Sequence, residues 1–246
     1  MAAISVIVPT RNEAAWLPHT LRSIPRGPGV EIIVSDGGST DETLALAAPL
    51  ADRLVESAPG RGSQLNAGAA AASGDILLFL HADTRLNHGA LDAVRDALRD
   101  PHLVGGAFRA EIDSKRVSMR LITFGINLRS RWFRLPYGDQ ALFVRRRVFD
   151  AMHGFRSIEI MEDVDFVRRL RRHGRLTLLR SSVRTSARRW AANGVARTTL
   201  ANWAALALFF CRVSPAWIRR FYDAALASRE RSTETPVAGI PGGAKP

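Results

Sequence analysis

The sequence predicts an α/β fold with a mainly parallel central sheet flanked by helices, followed by a helical appendage. Three observations carry this expectation. Short β-rich runs alternate with helix-spaced segments from residue 5 to residue 98, the pattern of β-α units around a parallel sheet. The run Ile76-Leu77-Leu78-Phe79-Leu80 is unbroken in its apolarity and bounded by polar residues, which suits a strand covered on both faces. Residues 195–228, before a Pro- and Gly-rich tail, carry two helical patterns instead of further strands.

Ser5-Val6-Ile7-Val8 is the first strand, and Leu17, Leu21 and Ile24 mark the apolar face of a helix over Ala14–Ile24. Glu31–Ser35 is the second strand, followed by Asp36-Gly37-Gly38-Ser39-Thr40-Asp41 and a helix over Glu42–Leu50 with Thr40 or Asp41 as its cap. Arg53–Glu56 is a weaker strand; Gln64–Ala72 is a helix entered through Gly60-Arg61-Gly62-Ser63; Ile76–Leu80 is the fourth strand, and Gly89–Leu98 a helix. Beyond it the pattern changes. Val104–Ile112 reads as extended, 114–136 as helix and loop over the site, Ala141–Val144 as a strand, and Val148–Met152 as a short helix. Glu162–His173 is a helix with acids at its start and Arg168, Arg169, Arg171, Arg172 and His173 at its end, the order the helix dipole favours. Thr177–Leu179 reads as the last strand. Helices over Val195–Cys211 and Pro215–Ser228 follow, the second with Ser214 as cap and Pro215 in its first turn. The organisation expected is a domain over 1–190, a helical extension over 191–228 and a disordered tail over 229–246.

At 246 residues and 46% hydrophobic composition the chain can bury one sizeable core. The formal charge of +12 admits an anionic partner, but Lys115 and Lys245 are the only lysines, and so Arg-rich a basic set also reads as genome composition. Cys211 is the only cysteine, which excludes an internal disulfide and a cysteine metal cluster and makes a cytoplasmic location the expectation. The amino terminus lacks the pattern of a signal peptide. Leu200–Phe210 is interrupted by Asn202 and closed by Arg212, too short to span a bilayer.

Glu13, Asp36 and Asp83 each lie just past a strand end, and in a parallel sheet all three reach one edge, where ligands of such folds gather. Carboxylates there can accept hydrogen bonds from ribose or base, and one of them can share a divalent cation with a diphosphate. Singly, Asp36 also suits a turn and Asp83 a helix cap. Arg61 and Gln64, near a glycine-flanked helix start, could support a phosphate. Gly60-x-Gly62 lacks the third glycine of a dinucleotide fingerprint, which excludes that reading. Met161-Glu162-Asp163-Val164-Asp165 is a second acidic focus, able to supply a general base or merely to cap its helix.

Taken in order, Val8-Pro9-Thr10-Arg11-Asn12-Glu13, Ser35-Asp36-Gly37-Gly38-Ser39-Thr40-Asp41, Asn66-Ala67-Gly68, Gly74-Asp75 with His81-Ala82-Asp83, and Gly154-Phe155 with Met161-Glu162-Asp163-Val164-Asp165 resemble the family 2 glycosyltransferases of GT-A fold, over about residues 3–190. The segments His81-Ala82-Asp83-Thr84, Pro136-Tyr137-Gly138-Asp139-Gln140 and Ala187-Arg188-Arg189-Trp190 resemble the subgroup called arsenosugar-biosynthesis or selenodomain-associated glycosyltransferases. The resemblance implies an inverting transfer from a nucleotide-diphospho-sugar, a UDP-sugar being the first expectation, to an unidentified hydroxyl acceptor. It puts Pro9, Glu13, Asp36, Arg61, Asn66, His81 and Asp83 on the donor, a Mn2+ or Mg2+ ion on Asp83, and the general base at Asp163. Tyr137, Asp139, Gln140, Glu162, Arg189 and Trp190 are its acceptor-side residues. Two positions depart from the pattern. His81 replaces the usual first Asp of Asp-x-Asp, so that metal binding rests mainly on Asp83, and Ser186 stands where processive relatives have glutamine.

Two other functions compete. A sugar-phosphate nucleotidyltransferase would want a glycine-rich loop right after the first strand, where Pro-Thr-Arg-Asn-Glu stands. A basic module binding nucleic acid or an anionic membrane would use the arginines alone; no nucleic-acid partner is expected. In the two last helices Trp203, Phe209, Phe210, Trp217, Phe221 and Tyr222 flank Arg212, Arg219 and Arg220, which suits peripheral contact with a membrane, a homodimer, or packing on the main domain.

Overall fold

A computed structural model describes residues 2–133 and 138–227. The tail 229–246 and Ser228 lie outside the described residues. The chain divides into two compact units, one running to Arg188 and one from Arg189 onward.

The first unit is built on one eight-stranded sheet. Its first half follows the expected β-α alternation: β1 (Ile4–Thr10), α1 (Leu17–Ser23), β2 (Val30–Asp36), α2 (Thr43–Ala47), β3 (Arg53–Glu56), α3 (Arg61–Ala71) and β4 (Ile76–Phe79). β1 pairs in parallel with β2 on one side and β4 on the other, with Thr10 opposite Asp36 and Ile7 opposite Phe79. β3 adds to β2 in parallel. The second half comprises β5 (Thr84–Leu86), α4 (Ala90–Ala97), β6 (Leu103–Asp113), α5 (Val117–Phe133), a 3-10 turn (Gly138–Gln140), β7 (Leu142–Arg145), α6 (Arg146–Ala151), α7 (Glu162–Leu170) and β8 (Arg175–Ser186). The strand order is β3-β2-β1-β4-β7-β6-β8-β5. Here the sheet becomes mixed: β7 runs antiparallel to β4 and β6, β5 antiparallel to β8, and only β6 and β8 are parallel.

Both faces of the central strands are buried, which is why their sequences show apolar runs instead of alternation. Val6, Val8 and Leu78 pack on one side with Leu17, Leu21 and Val94 of the neighbouring helices. Ile7, Leu77 and Phe79 pack on the other with Phe149, Phe155 and Phe166. The four phenylalanines of this second side form one cluster. Phe155 and Phe166 stack with centroids 4.1 Å apart, and Phe79 meets Phe155 edge-on at 4.9 Å. Aromatic pairs of this geometry add to plain area burial. Phe166 belongs to α7, so the cluster fastens that helix to β4.

In the first unit, three of the departures from the sequence expectation have plain physical reasons. β8 is twelve residues long, where only Thr177–Leu179 were expected, because its exposed Arg180 and Arg184 and its run of serines and threonines conceal the apolar positions Leu179 and Val183. β5 is three residues and too short to leave a pattern. α1 starts at Leu17 instead of Ala14: the amides of Trp16 and Leu17 both donate to the Glu13 carbonyl, and Pro18 occupies the first turn, where its missing N–H costs nothing.

A helix that starts on the last residue of the first unit, α8 (Arg188–Asn193), was not expected; α9 (Val195–Phe210) and α10 (Pro215–Leu226), in the second unit, were. Ser214 caps α10 through its hydroxyl, which accepts from the Trp217 amide at 3.4 Å. Asn202, which interrupts the apolar run of α9, accepts a hydrogen bond from the Tyr222 hydroxyl at 2.8 Å. Among the described residues no helix is long and apolar enough to cross a membrane.

Phe166→Ala is expected to cost about 3–5 kcal/mol, the range for truncating a fully buried aromatic. Guanidinium unfolding followed by circular dichroism measures it, and a loss below 1 kcal/mol, order of magnitude for a surface site, would show that the cluster does not hold α7.

Candidate active site

β1, β2 and β4 point the same way, so the loops that leave them emerge at one sheet edge. The chain builds outward from β1 through β2 to β3 and then crosses to β4 on β1's other side, which makes the carboxyl ends of β1 and β4 a topological switch point. Pro9 is buried in β1 opposite Ser35. Glu13 follows β1 and Asp83 follows β4, flanking the switch point.

The loops at this edge are laced together by side-chain to backbone bonds. Asn12, at φ 54°, accepts from the Thr40 amide at 2.8 Å and its own amide donates to Ser39 Oγ at 2.9 Å. The Glu13 amide donates to Thr43 Oγ1 at 2.8 Å. Asp36 is 2% exposed and spends its carboxylate on its own turn: Oδ2 accepts from the Gly38 and Ser39 amides at 2.9 and 2.8 Å, and Oδ1 from Ser39 Oγ at 2.5 Å. Gln64, expected near a phosphate, instead joins the two strand ends, donating to the Thr10 carbonyl at 2.6 Å.

Arg188 joins Glu13 to Asp83. Its Nη1 and Nη2 donate to the two Glu13 carboxylate oxygens at 2.7 and 2.5 Å, a bidentate pairing, while its Nε lies 2.9 Å from Asp83 Oδ2. The guanidinium also lies over the Trp16 ring, 5.7 Å from its centroid. The hydrogen bond to Glu13 raises the Arg188 pKa above its ordinary value; burial opposes this, and the charges of Asp83 and Glu13 add to it. Arg188 therefore puts positive charge on the carboxylate expected to hold a metal. Sequence gave no local sign of this pairing, since 175 positions separate Glu13 from Arg188.

The second acidic focus closes on the same place. Met161 takes φ 66°, a left-handed conformation uncommon for a side chain of its size, and α7 begins at Glu162 immediately after it. Asp163 Oδ2 accepts from the Gly138 amide at 2.7 Å, and Oδ1 from the Val164 amide at 2.7 Å. A Cβ on Gly138 would lie 2.9 Å from His81 Nε2 and 3.1 Å from Asp163 Oδ2, so His81 and Asp163 both lie against this glycine, no more than about 6 Å apart. Arg61 donates from Nη1 to Glu162 Oε1 at 3.2 Å. Burial works against the Arg61 charge, but Glu162, Asp163 and Asp83 outweigh it and raise its pKa. Burial pushes the Glu162 carboxyl up, and the Asp163 charge adds to this against the pull of Arg61.

Several expected site residues have other work. Asn66 brackets the Phe155 backbone, its Nδ2 donating to the carbonyl at 2.8 Å and its Oδ1 accepting from the amide at 2.9 Å. Gln140 is fully buried, donates to the Phe108 carbonyl at 3.1 Å and accepts from Ser130 Oγ at 2.5 Å, so it ties the turn to β6 and α5 instead of lining a pocket. Asp139, in the same turn, is half-buried. Tyr137 lies outside the described residues. Arg189 and Trp190 belong to the second unit, where the Arg189 carbonyl accepts from Thr198 Oγ1 at 3.4 Å.

No group of three or more His, Cys, Asp or Glu among the described residues is arranged to hold a metal ion. The donor set that fits is smaller: the Asp83 carboxylate, 16% exposed, beside His81. One carboxylate with phosphate oxygens and water is how Mg2+ is ordinarily shared with a substrate.

Glu162 also sets a pH dependence. Because its folded pKa is raised, its contribution to stability is fully present below the ordinary glutamate value and is lost as pH rises through the folded value. Glu162→Gln is therefore expected to gain stability relative to wild type as pH climbs through that window. Urea unfolding of both proteins over a pH series measures this, and a difference constant with pH would refute it.

The family model described as glycosyl transferase family 2 matches residues 5–161. A PGL/p-HBAD biosynthesis glycosyltransferase of Mycobacterium bovis (strain BCG / Pasteur 1173P2) is 34% identical over 176 residues, 66% of this chain and 67% of that protein. An uncharacterized protein of Mycobacterium tuberculosis (strain CDC 1551 / Oshkosh) is 37% identical over 127 residues; the match spans 48% of this chain and only 40% of that protein. Among solved structures, the mannosyltransferase PcManGT from Pyrobaculum calidifontis in complex with GDP-Man and Mn2+ superposes with a TM-score of 0.62 at 21% identity, over 96% of this chain and 77% of that one. S. aureus TarS 1-349 in complex with UDP-GlcNAc gives 0.60 at 18% identity, over 75% and 58%. The structural likeness is one of fold, the GT-A fold, and the sequence match, across residues 5–161, is one of family: the chain belongs to glycosyl transferase family 2.

Proposed function

We propose that the protein transfers a sugar, with inversion, from a nucleotide-diphospho-sugar to a hydroxyl acceptor. The observation that carries this reading is the convergence, at one switch point of the sheet, of Glu13 and Asp83 with an Asp163 that lies with His81 against Gly138. The GDP-Man and Mn2+ of PcManGT and the UDP-GlcNAc of TarS support a nucleotide-sugar donor, with UDP-sugars the first to test, and a divalent cation. The His81–Thr84 and Ala187–Trp190 segments support the arsenosugar or selenodomain-associated subgroup.

In this reading Glu13 and Asp36 lie at the nucleoside end, with Pro9 shaping the strand beneath, and Asp83 would hold Mn2+ or Mg2+ with His81 beside it. A divalent ion there supplies positive charge where the departing diphosphate develops negative charge. Arg61 adds a fixed cation on the same side, worth more in the transition state than before it. Asp163 takes the proton of the acceptor hydroxyl as that oxygen bonds to the anomeric carbon. The bond from that carbon to the diphosphate breaks, and its electron pair leaves with the diphosphate. The amides of Gly138 and Val164 hold the carboxylate in orientation for this. A base on the ring face opposite the leaving group gives inversion. Asn66 and Gln140 act as positioning residues, the first for the Phe155 loop and the second for the turn that carries Gly138. Tyr137, Asp139, Glu162, Arg189 and Trp190 remain the proposed acceptor side.

Residues to 190 form the catalytic domain in this proposal, and the helices beyond it an extension whose exposed Leu200, Trp203, Phe210 and Trp217 support contact with a membrane or a second subunit. A cytoplasmic setting belongs to the same proposal.

Asp83→Asn is expected to weaken metal-dependent binding of the donor, and Asp163→Asn to leave donor binding intact while lowering transfer by about 10²–10⁴-fold, the usual contribution of a general base. Calorimetry with UDP- and GDP-sugars in Mn2+ and single-turnover assays separate the two effects. Equal loss of donor affinity in both variants would sink this division of labour.

A further inference from the structure

One helix of the first unit presents apolar side chains to solvent from Val117 to Leu128. Val117, Leu121, Phe124 and Leu128 of α5 are 78%, 73%, 64% and 41% exposed. Their spacing of four, three and four residues places them on a single stripe. The helix is attached by its opposite side, through buried Met119 and through Asn127, whose amide donates to the Ala110 carbonyl and accepts from the Ala110 amide, both at 2.9 Å. The stripe therefore faces away from the core, and contiguous exposed apolar surface of this kind marks an interaction site.

Charge identifies the partner. From Lys115 to Arg134 the sequence holds six basic residues, and no Asp or Glu stands between Asp113 and Asp139. Lys115, Arg116 and Arg120 are exposed beside the stripe. A second copy of the same helix would bring this positive charge against itself, whereas an anionic bilayer surface accepts both features: apolar side chains enter the headgroup boundary and arginines reach the phosphates. We propose that α5 is a docking face for an anionic lipid surface.

The docked helix adjoins the site. Ser130 near its carboxyl end donates to Gln140 Oε1 at 2.5 Å, and Gly138 of the same turn donates its amide to Asp163. Docking through α5 brings the turn beside the candidate base to the bilayer boundary, so the acceptor class is a hydroxyl carried on a lipid. This last consequence rests on the transferase reading; the docking itself does not.

The test is flotation of the full chain with vesicles of phosphatidylcholine alone or mixed with phosphatidylglycerol. Wild type is expected to float with the mixed vesicles, not with phosphatidylcholine alone, and to be released by high salt. The Leu121→Ser/Phe124→Ser and Arg116→Gln/Arg120→Gln proteins should each bind about tenfold more weakly or worse, with unchanged thermal melting since all four residues are exposed. Failure of wild type to float on mixed vesicles overturns the proposal. So does binding by both variants equal to wild type, loss caused instead by Trp203→Ser/Trp217→Ser, or a concentration-dependent dimer that Leu121→Ser/Phe124→Ser abolishes. Calorimetric binding of UDP-sugars to the same proteins reports on the transferase reading independently of flotation.

Discussion

Carboxylates gathered at one sheet edge repel one another, and the site depends on the two arginines that offset this. At a partly buried site a pair of like charges about 5 Å apart costs about 3 kcal/mol. Arg188 spans Glu13 and Asp83, and Arg61 pairs with Glu162 while acting on Asp163 and Asp83. Each arginine comes from a part of the chain remote from the acids it balances.

Around that charge balance the protein uses rigid supports. The stacked Phe155 and Phe166 fasten α7 to the sheet, and Asn66 and Arg169 hold the loop that precedes it; Arg169 donates to the carbonyls of Met152 and Gly154 at 3.0 and 2.7 Å and pairs with Asp165 at 2.8 Å. Asp163 is thereby carried on a helix whose position is set from below by aromatic packing and from in front by the Gly138 amide. Side chains fixed in this way can hold a reacting group within the narrow tolerance that transfer chemistry needs.

The surface of the first unit divides its charge unevenly. Glu13, Asp83, Glu162 and Asp163 gather near one edge of the sheet, while α5 carries basic and apolar residues and no acid. The two regions share one short turn, Gly138–Gln140, which is buried at both ends and bonded to both. The candidate base and the proposed docking helix are thus tied to one three-residue segment, in which buried Gln140 bonds to Ser130 and to the Phe108 carbonyl.

The sequence by itself determined the β-α alternation of the first half, the two-sided burial of Ile76–Phe79, the capping of α10 by Ser214 and the placing of Glu13 and Asp83 past strand ends, while Asp36, expected beside them, is the last residue of β2 itself. These follow from local periodicity and turn chemistry, which neighbouring residues encode. Pattern could not reveal that β7 turns antiparallel, that β8 runs for twelve residues, or that Asn66, Gln64 and Gln140 spend their amides on backbone. Nor could it show that Asp36 is consumed by its own turn, or that Arg188 closes on Glu13 and Asp83. Those outcomes depend on which distant groups burial brings within 3 Å or so of one another, and only the tertiary fold decides that.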